Sequence, residues 1–140
     1  MTVTATPRPT GHPGYSQTFD RVPESAGAAR KLVRTALAAW HQDHLIDDAL
    51  NVITELVSNA VDHGRLPSIR ILVTRPSDGW IRLGVVDRSR VMPELRTDSD
   101  GDQIRGRGLL LVDTLSDRWG TDLHRWGKTV WAELKTEVEQ

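Results

Sequence analysis

The sequence of 140 residues contains no cysteine, which excludes a disulfide framework, thiolate zinc sites and a cysteine nucleophile. It also lacks a dominant charge: 18 basic residues against 19 acidic ones give a formal net charge of −1, so nothing in the overall field favours nucleic acid or an anionic membrane. No apolar stretch approaches the roughly twenty residues of a membrane span. The opening MTVTATPRPTGHPG has neither the charged nor the apolar region of a signal peptide. These absences predict a cytoplasmic chain that uses neither nucleic acid nor membrane as a partner. Its length suits one domain with a single core.

Residues 1–14 combine three prolines and two glycines with almost no apolar content and are expected to form a disordered tail, and residues 137–140 are expected as a C-terminal tail. The folded domain is expected over 15–136. YSQTF reads as a first strand. SAGAARKLVRTALAAW then reads as a helix ending near Trp40, with Ala28, Leu32, Thr35 or Ala36, and Ala39 on one face. A second helix follows, with Asp43 as its N-cap and Gly64 as a left-handed C-cap. IRILVTR and WIRLGVVD are strands joined by the turn PSDG. Residues 88–105 are polar and broken, long for a plain connection and suited to a lid. Gly106, Arg107 and Gly108 open the apolar helix LLLVDTL, and a hairpin around Trp126 and Gly127 ends the domain. Strands in hairpins with helices collected between them predict an α+β, two-layer α/β sandwich: a mixed, mostly antiparallel sheet with helices on one face.

The second helix carries an unusual stripe. Most of its surface is apolar, yet Asp48, Glu55, Asn59 and Asp62 recur three, four or seven residues apart. A carboxylate and a carboxamide one turn apart on such a helix are expensive unless something occupies the stripe. Two glycines at the start of a helix let backbone N–H groups approach phosphate oxygens at the positive end of the dipole. Arg105 and Arg107 beside them are candidates for a γ-phosphate contact. An asparagine oxygen can hold Mg²⁺, and Asp87 at the end of a strand can accept from an exocyclic amine. Together these clusters describe an adenine nucleotide site.

In these motifs the sequence resembles the GHKL or Bergerat-fold ATPases, and in particular the small single-domain proteins related to anti-sigma-factor serine/threonine kinases, over residues 15–135. ELVSNAVDHG is similar to their N box, which implies that Asn59 coordinates Mg²⁺ and that Glu55 orients or deprotonates the attacking hydroxyl. VVDRS resembles the start of the G1 box, which implies Asp87 on the adenine amino group. GRGLLLV resembles the G2 box, implying that Gly106, Gly108 and Leu109 wrap the nucleotide while 88–105 form the ATP lid. GKTVWAEL resembles the final strand, placing Thr129 near the adenine. One departure stands out: the G1 box usually reads DxGxG, whereas Asp87 is followed here by Arg88, Ser89 and Arg90. The resemblance implies an ATP- and Mg²⁺-dependent kinase acting on an anti-sigma antagonist, with a sigma factor as a further client and a homodimer left open. A non-catalytic nucleotide-dependent binding module fits the same motifs. So does a histidine-kinase-like catalytic domain serving a separate protein.

Overall fold

The computed structural model describes residues 4–7, 13–89 and 104–136, with side chains over 14–89 and 109–136. Its strands are β1 (Thr4–Pro7), β2 (Pro13–Asp20), β3 (Ser68–Thr74), β4 (Trp80–Asp87), β5 (Arg118–Leu123) and β6 (Lys128–Lys135), and its helices are α1 (Ser25–Ala39), α2 (Ile46–His63) and α3 (Ile104–Leu115). The six strands form one sheet in the order β1-β2-β3-β4-β6-β5, and every pairing among them is antiparallel. The α+β sandwich expected from the hairpins is therefore present, without the parallel pair that a mixed sheet allows. Thr4–Pro7 falls inside the segment expected as a tail; it pairs with β2 through backbone groups and leaves no trace in apolar periodicity.

Strand alternation explains the layering. Phe19, Ile69, Ile71, Val73, Ile81, Leu83, Val85, Val130, Ala132 and Leu134 occupy alternate positions and form one cluster with the buried residues of α1 and α2. In α1 the buried stripe is Ala29, Leu32, Val33, Ala36 and Leu37, whereas Ala28 and Ala39 are exposed. The expected face was turned by about one position, because small alanines weigh little against the larger Val33 and Leu37. Each fully buried side chain of that size contributes about 1.5–3 kcal/mol, so the helix seats itself by them. In α2 the stripe is Ala49, Val52, Ile53, Leu56, Val57 and Ala60.

Both ends of α2 differ from the expectation. A 3-10 turn, Asp43–Leu45, precedes it, the N-cap is Leu45, and no side chain caps the helix. Gly64 has φ −71° and ψ 166°, an extended conformation rather than a left-handed one. What demands glycine there is space: a Cβ would lie 2.6 Å from the Ala60 carbonyl oxygen and 2.6 Å from Cδ of Arg21. Arg21 closes the helix end instead, donating from Nη1 to the Val61 carbonyl and from Nε to the Leu66 carbonyl, both at 2.7 Å.

Among the described residues no helix covers the outer face of the sheet. Glu133, 1% exposed, accepts from Arg82 Nε at 2.6 Å and also from Arg118 Nε. The Arg118 guanidinium lies 3.8 Å from the Trp80 ring centre, and that of Arg82 lies 4.7 Å from the Trp131 ring centre. Two of the five tryptophans thus roof a buried carboxylate. Trp40 packs on Tyr15, and Trp119 donates to Asp113.

Two glycines test different physics. Gly79, at φ 88°, has nothing within 4 Å of a built Cβ. Gly79→Ala should therefore cost about 1–2 kcal/mol from left-handed strain alone. Gly64→Ala should cost about 1–3 kcal/mol from overpacking, with no dihedral strain. Urea denaturation of both variants checks this, and a stabilised Gly64→Ala would mean that the Arg21 closure is not the tight contact described.

Candidate functional site

Topology brings the sequence motifs to one end of the sheet. α2 leads through residues 64–67 directly into β3, and the start of β3 lies beside the end of β4, with Arg70 paired to Val86. β6 begins at the same place, with Lys128 paired to Asp87. α3 runs into β5, whose first residue, Arg118, pairs with Glu133 near the far end of β6. A helix of twelve residues spans roughly 18 Å, so the first turn of α3 lies back toward the end that carries Asp87. The C-terminal half of α2, the ends of β4 and β3, the start of β6 and the first turn of α3 therefore surround one region.

Glu55 and Asn59 are one turn apart on α2 and both half-buried, while Asp48 and Asp62 on the same stripe are exposed. No hydrogen-bond donor or cation among the described residues engages the Glu55 carboxylate. Burial without compensation pushes its pKa above the ordinary value of 4.5.

Asp87 is in a different situation. It is 3% exposed and faces the helix layer, in alternation with Ile81, Leu83 and Val85. Its Oδ1 accepts from Lys128 Nζ at 3.0 Å and from the Ser89 backbone N–H at 2.8 Å. Lys128, 1% exposed, donates in turn to the Ser89 carbonyl at 3.0 Å. Gly127 makes this closeness possible, since a Cβ there would lie 2.1 Å from the Asp87 carbonyl oxygen. Ser89, which stands where the G1 box has its first glycine, is fully buried and held by these backbone bonds.

Thr129, expected near the adenine, is not brought to this side. Alternation sends it to the outer face, where its hydroxyl lies 2.8 Å from His124 Nε2 and its methyl packs under Gly84. The β6 residue that meets Asp87 is Lys128, which sequence reasoning missed. The signal was present: in KTVWAEL the apolar face is set by Val130, Ala132 and Leu134, and counting back by two lands on a lysine. A hollow of about 310 Å³ opens at the same strand ends, lined by Thr18, Ser68, Arg70, Arg88 and Trp126 together with Ile69, Val86 and Asp87.

Gly106 and Gly108 are the third and fifth residues of α3, so the helix begins at Ile104, ahead of both, rather than after them. The side chains of Arg105 and Arg107 lie outside the described residues, as do lid positions 90–103. Leu109 is buried and stands apart from the main apolar cluster.

No group of three His, Cys, Asp or Glu that could cage a metal exists among the described residues. A single carboxamide, that of Asn59, suits a cation that takes most of its ligands from phosphates and water, as Mg²⁺ does. No helix among the described residues is long and apolar enough to cross a membrane.

Residues 19–134 match the histidine kinase-like ATPase domain family, and the chain belongs to it. The fold agrees with the crystal structure of the RsbU and RsbW domains of Rv1364c from Mycobacterium tuberculosis, with a TM-score of 0.65 and 25% sequence identity over 87% of this chain. This chain spans only 32% of that longer protein. Family membership supports ATP as the ligand.

The lone Glu55 carboxylate makes a pH-dependent prediction. Its folded pKa lies above its unfolded value, so the native state is favoured while the group is protonated and loses that advantage as pH rises through the raised pKa. Glu55→Gln should melt higher than wild type at pH 7.5, and the gap should narrow as pH falls toward the ordinary glutamate range. Calorimetric melting of both proteins across that range is the check. A gap independent of pH would remove desolvation of Glu55 as its cause.

Proposed function

We propose that this chain is an ATP- and Mg²⁺-dependent serine/threonine protein kinase of the anti-sigma-factor type, acting on a small partner protein. The observation that carries the reading is the convergence of an uncompensated Glu55, one turn from Asn59, with a buried Asp87 at one end of the sheet. Asp87 accepts from the exocyclic amine of the base. Asn59 holds Mg²⁺, and the backbone around Gly106, Gly108 and Leu109, with Arg105 and Arg107, serves the phosphates. ATP, when bound, supplies the γ-phosphoryl group. Glu55 takes the proton of the attacking partner hydroxyl, a role suited to a carboxyl whose pKa burial raises above its ordinary value. The new P–O bond forms at that hydroxyl oxygen as ADP leaves. An antagonist of an anti-sigma factor is the phosphoacceptor and a sigma factor the second client, which fits the likeness to the RsbU and RsbW domains of Rv1364c.

A second reading, a nucleotide-dependent binding module without transfer, is favoured by Ser89. The G1-box glycines would leave this backbone free to move, whereas here it is tied to both Asp87 and Lys128.

Ligand binding to the native state should raise the melting temperature by mass action, equivalent to about 2.7 kcal/mol at a hundredfold excess over Kd. The shift should need Mg²⁺ together with ATP, and Asn59→Ala should lose the Mg²⁺-dependent part. Equal shifts in wild type and Asn59→Ala would refute the metal role. Transfer of labelled phosphate from ATP to co-purifying proteins separates the two readings. Glu55→Gln should slow it by about a hundredfold to ten-thousandfold with ATP affinity retained. ATP-dependent capture of a partner with no transfer would leave the binding module.

A further inference from the structure

The Asp87 carboxylate does not stand alone in front of a base. Asp87 and Lys128 are opposite each other in the β4–β6 register, both on the helix side and both almost wholly buried. Oδ1 of Asp87 is committed twice, to the lysine ammonium at 3.0 Å and to the Ser89 N–H at 2.8 Å. The other oxygen, Oδ2, takes part in neither bond. The ammonium has three N–H groups; one goes to Oδ1 and one to the Ser89 carbonyl.

A ligand that pulled Lys128 away from Asp87 would strand a buried charge, the most costly way to open an ion pair. The pair must therefore meet the base intact. What it then offers is an acceptor, Oδ2, side by side with a donor, the third N–H of Nζ. On its Watson–Crick edge adenine carries the matching order, the N6 amine as donor next to N1 as acceptor. Guanine carries the reverse at the same two positions, a carbonyl oxygen and an N–H, so it would set oxygen against Asp87 and N–H against Lys128.

We propose that Lys128 is a second base-reading residue, donating to adenine N1 while Asp87 accepts from the adenine amine. This rests on the ATP reading given above and deepens it. The structural part played by Lys128, holding Asp87 and Ser89, predicts damage on substitution but no dependence on one ring nitrogen of the ligand. Base reading predicts that dependence.

The experiment is titration calorimetry with ATP, 1-deaza-ATP, in which N1 is a C–H, and 7-deaza-ATP as a control, using wild type and Lys128→Met. In wild type, removal of N1 should weaken binding roughly tenfold or more, as expected for a hydrogen bond to a charged donor. The 7-deaza compound should bind like ATP. Lys128→Met should bind ATP about as weakly as wild type binds 1-deaza-ATP, and should no longer distinguish the two. Wild type that binds ATP and 1-deaza-ATP equally overturns the proposal without any variant, so misfolding of Lys128→Met cannot protect it. Lys128→Met that binds ATP more tightly, or keeps the full preference for N1, overturns it as well. If triphosphates with and without the N6 amine still differ in wild type, only Lys128 is removed and the ATP reading stands. Wild type that binds no ATP removes both.

Discussion

An ionised carboxylate placed inside an apolar two-layer sandwich has to be met by a positive group or hydrogen-bond donors, and the ends of β4 and β6 are arranged around that constraint. Asp87 and Lys128 meet across the ladder, Ser89 binds both through its backbone, and Gly127 supplies the missing volume that lets the turn close on the strand. The bond also fixes register. A slip of one residue between β4 and β6 would throw either the charge pair or Val85, Val130 and Ala132 onto the wrong face. Since β4 and β6 lie inside the sheet and α2 packs against both, the seat of the helix stripe follows from the same register.

The outer face solves the same problem differently. Glu133 is as buried as Asp87, but the cover comes from side chains lying across the sheet rather than from a helix. Arg82 and Arg118 neutralise it from two sides, and Trp131 and Trp80 shield the guanidinium planes. Arginine suits this place because its planar fork can bind a carboxylate with its edge and an indole with its face. Exposed ion pairs add little, whereas this one is drawn down onto a carboxylate of 1% exposure, so losing either arginine leaves the burial cost with less to offset it. The two faces of β6 therefore carry one buried charge each, cationic toward the helices and anionic away from them.

What could be read from the sequence followed strong periodicity. The long apolar runs placed α2, β3 and β4 within a residue or two, because large side chains at regular spacing leave few alternatives. The stripe of Glu55 and Asn59 and the strand-end Asp87 were legible for the complementary reason: polar groups where the period demands apolar ones. Alanine-rich α1 was placed but turned, since alanine carries little orienting weight. Gly64 was assigned to a glycine role, though the reason is a close approach by Arg21 from 43 residues earlier in the chain, a contact no local pattern encodes. Thr129 was named from motif likeness alone, and counting along β6 by twos from Val130 lands on Lys128, which was not considered. Pairing of Thr4–Pro7 with β2 depends on backbone groups alone, which composition does not report.

The two carboxylates of the site then divide along the line that their environments draw. Asp87 is locked: two donors converge on one oxygen, its neighbour in the ladder carries the opposite charge, and its backbone is pressed by Gly127. Such a group is held in place to accept a hydrogen bond. Glu55 has no partner among the described residues on its half-buried face of α2, and desolvation raises its pKa. Such a group is poorly suited to fixing a ligand and well suited to receiving a proton. Opposed environments for paired acids are the usual mark of separate roles. The difference has a structural origin: Asp87 is held by strand register, whereas Glu55 sits on a helix, where no neighbouring strand among the described residues fixes it a partner.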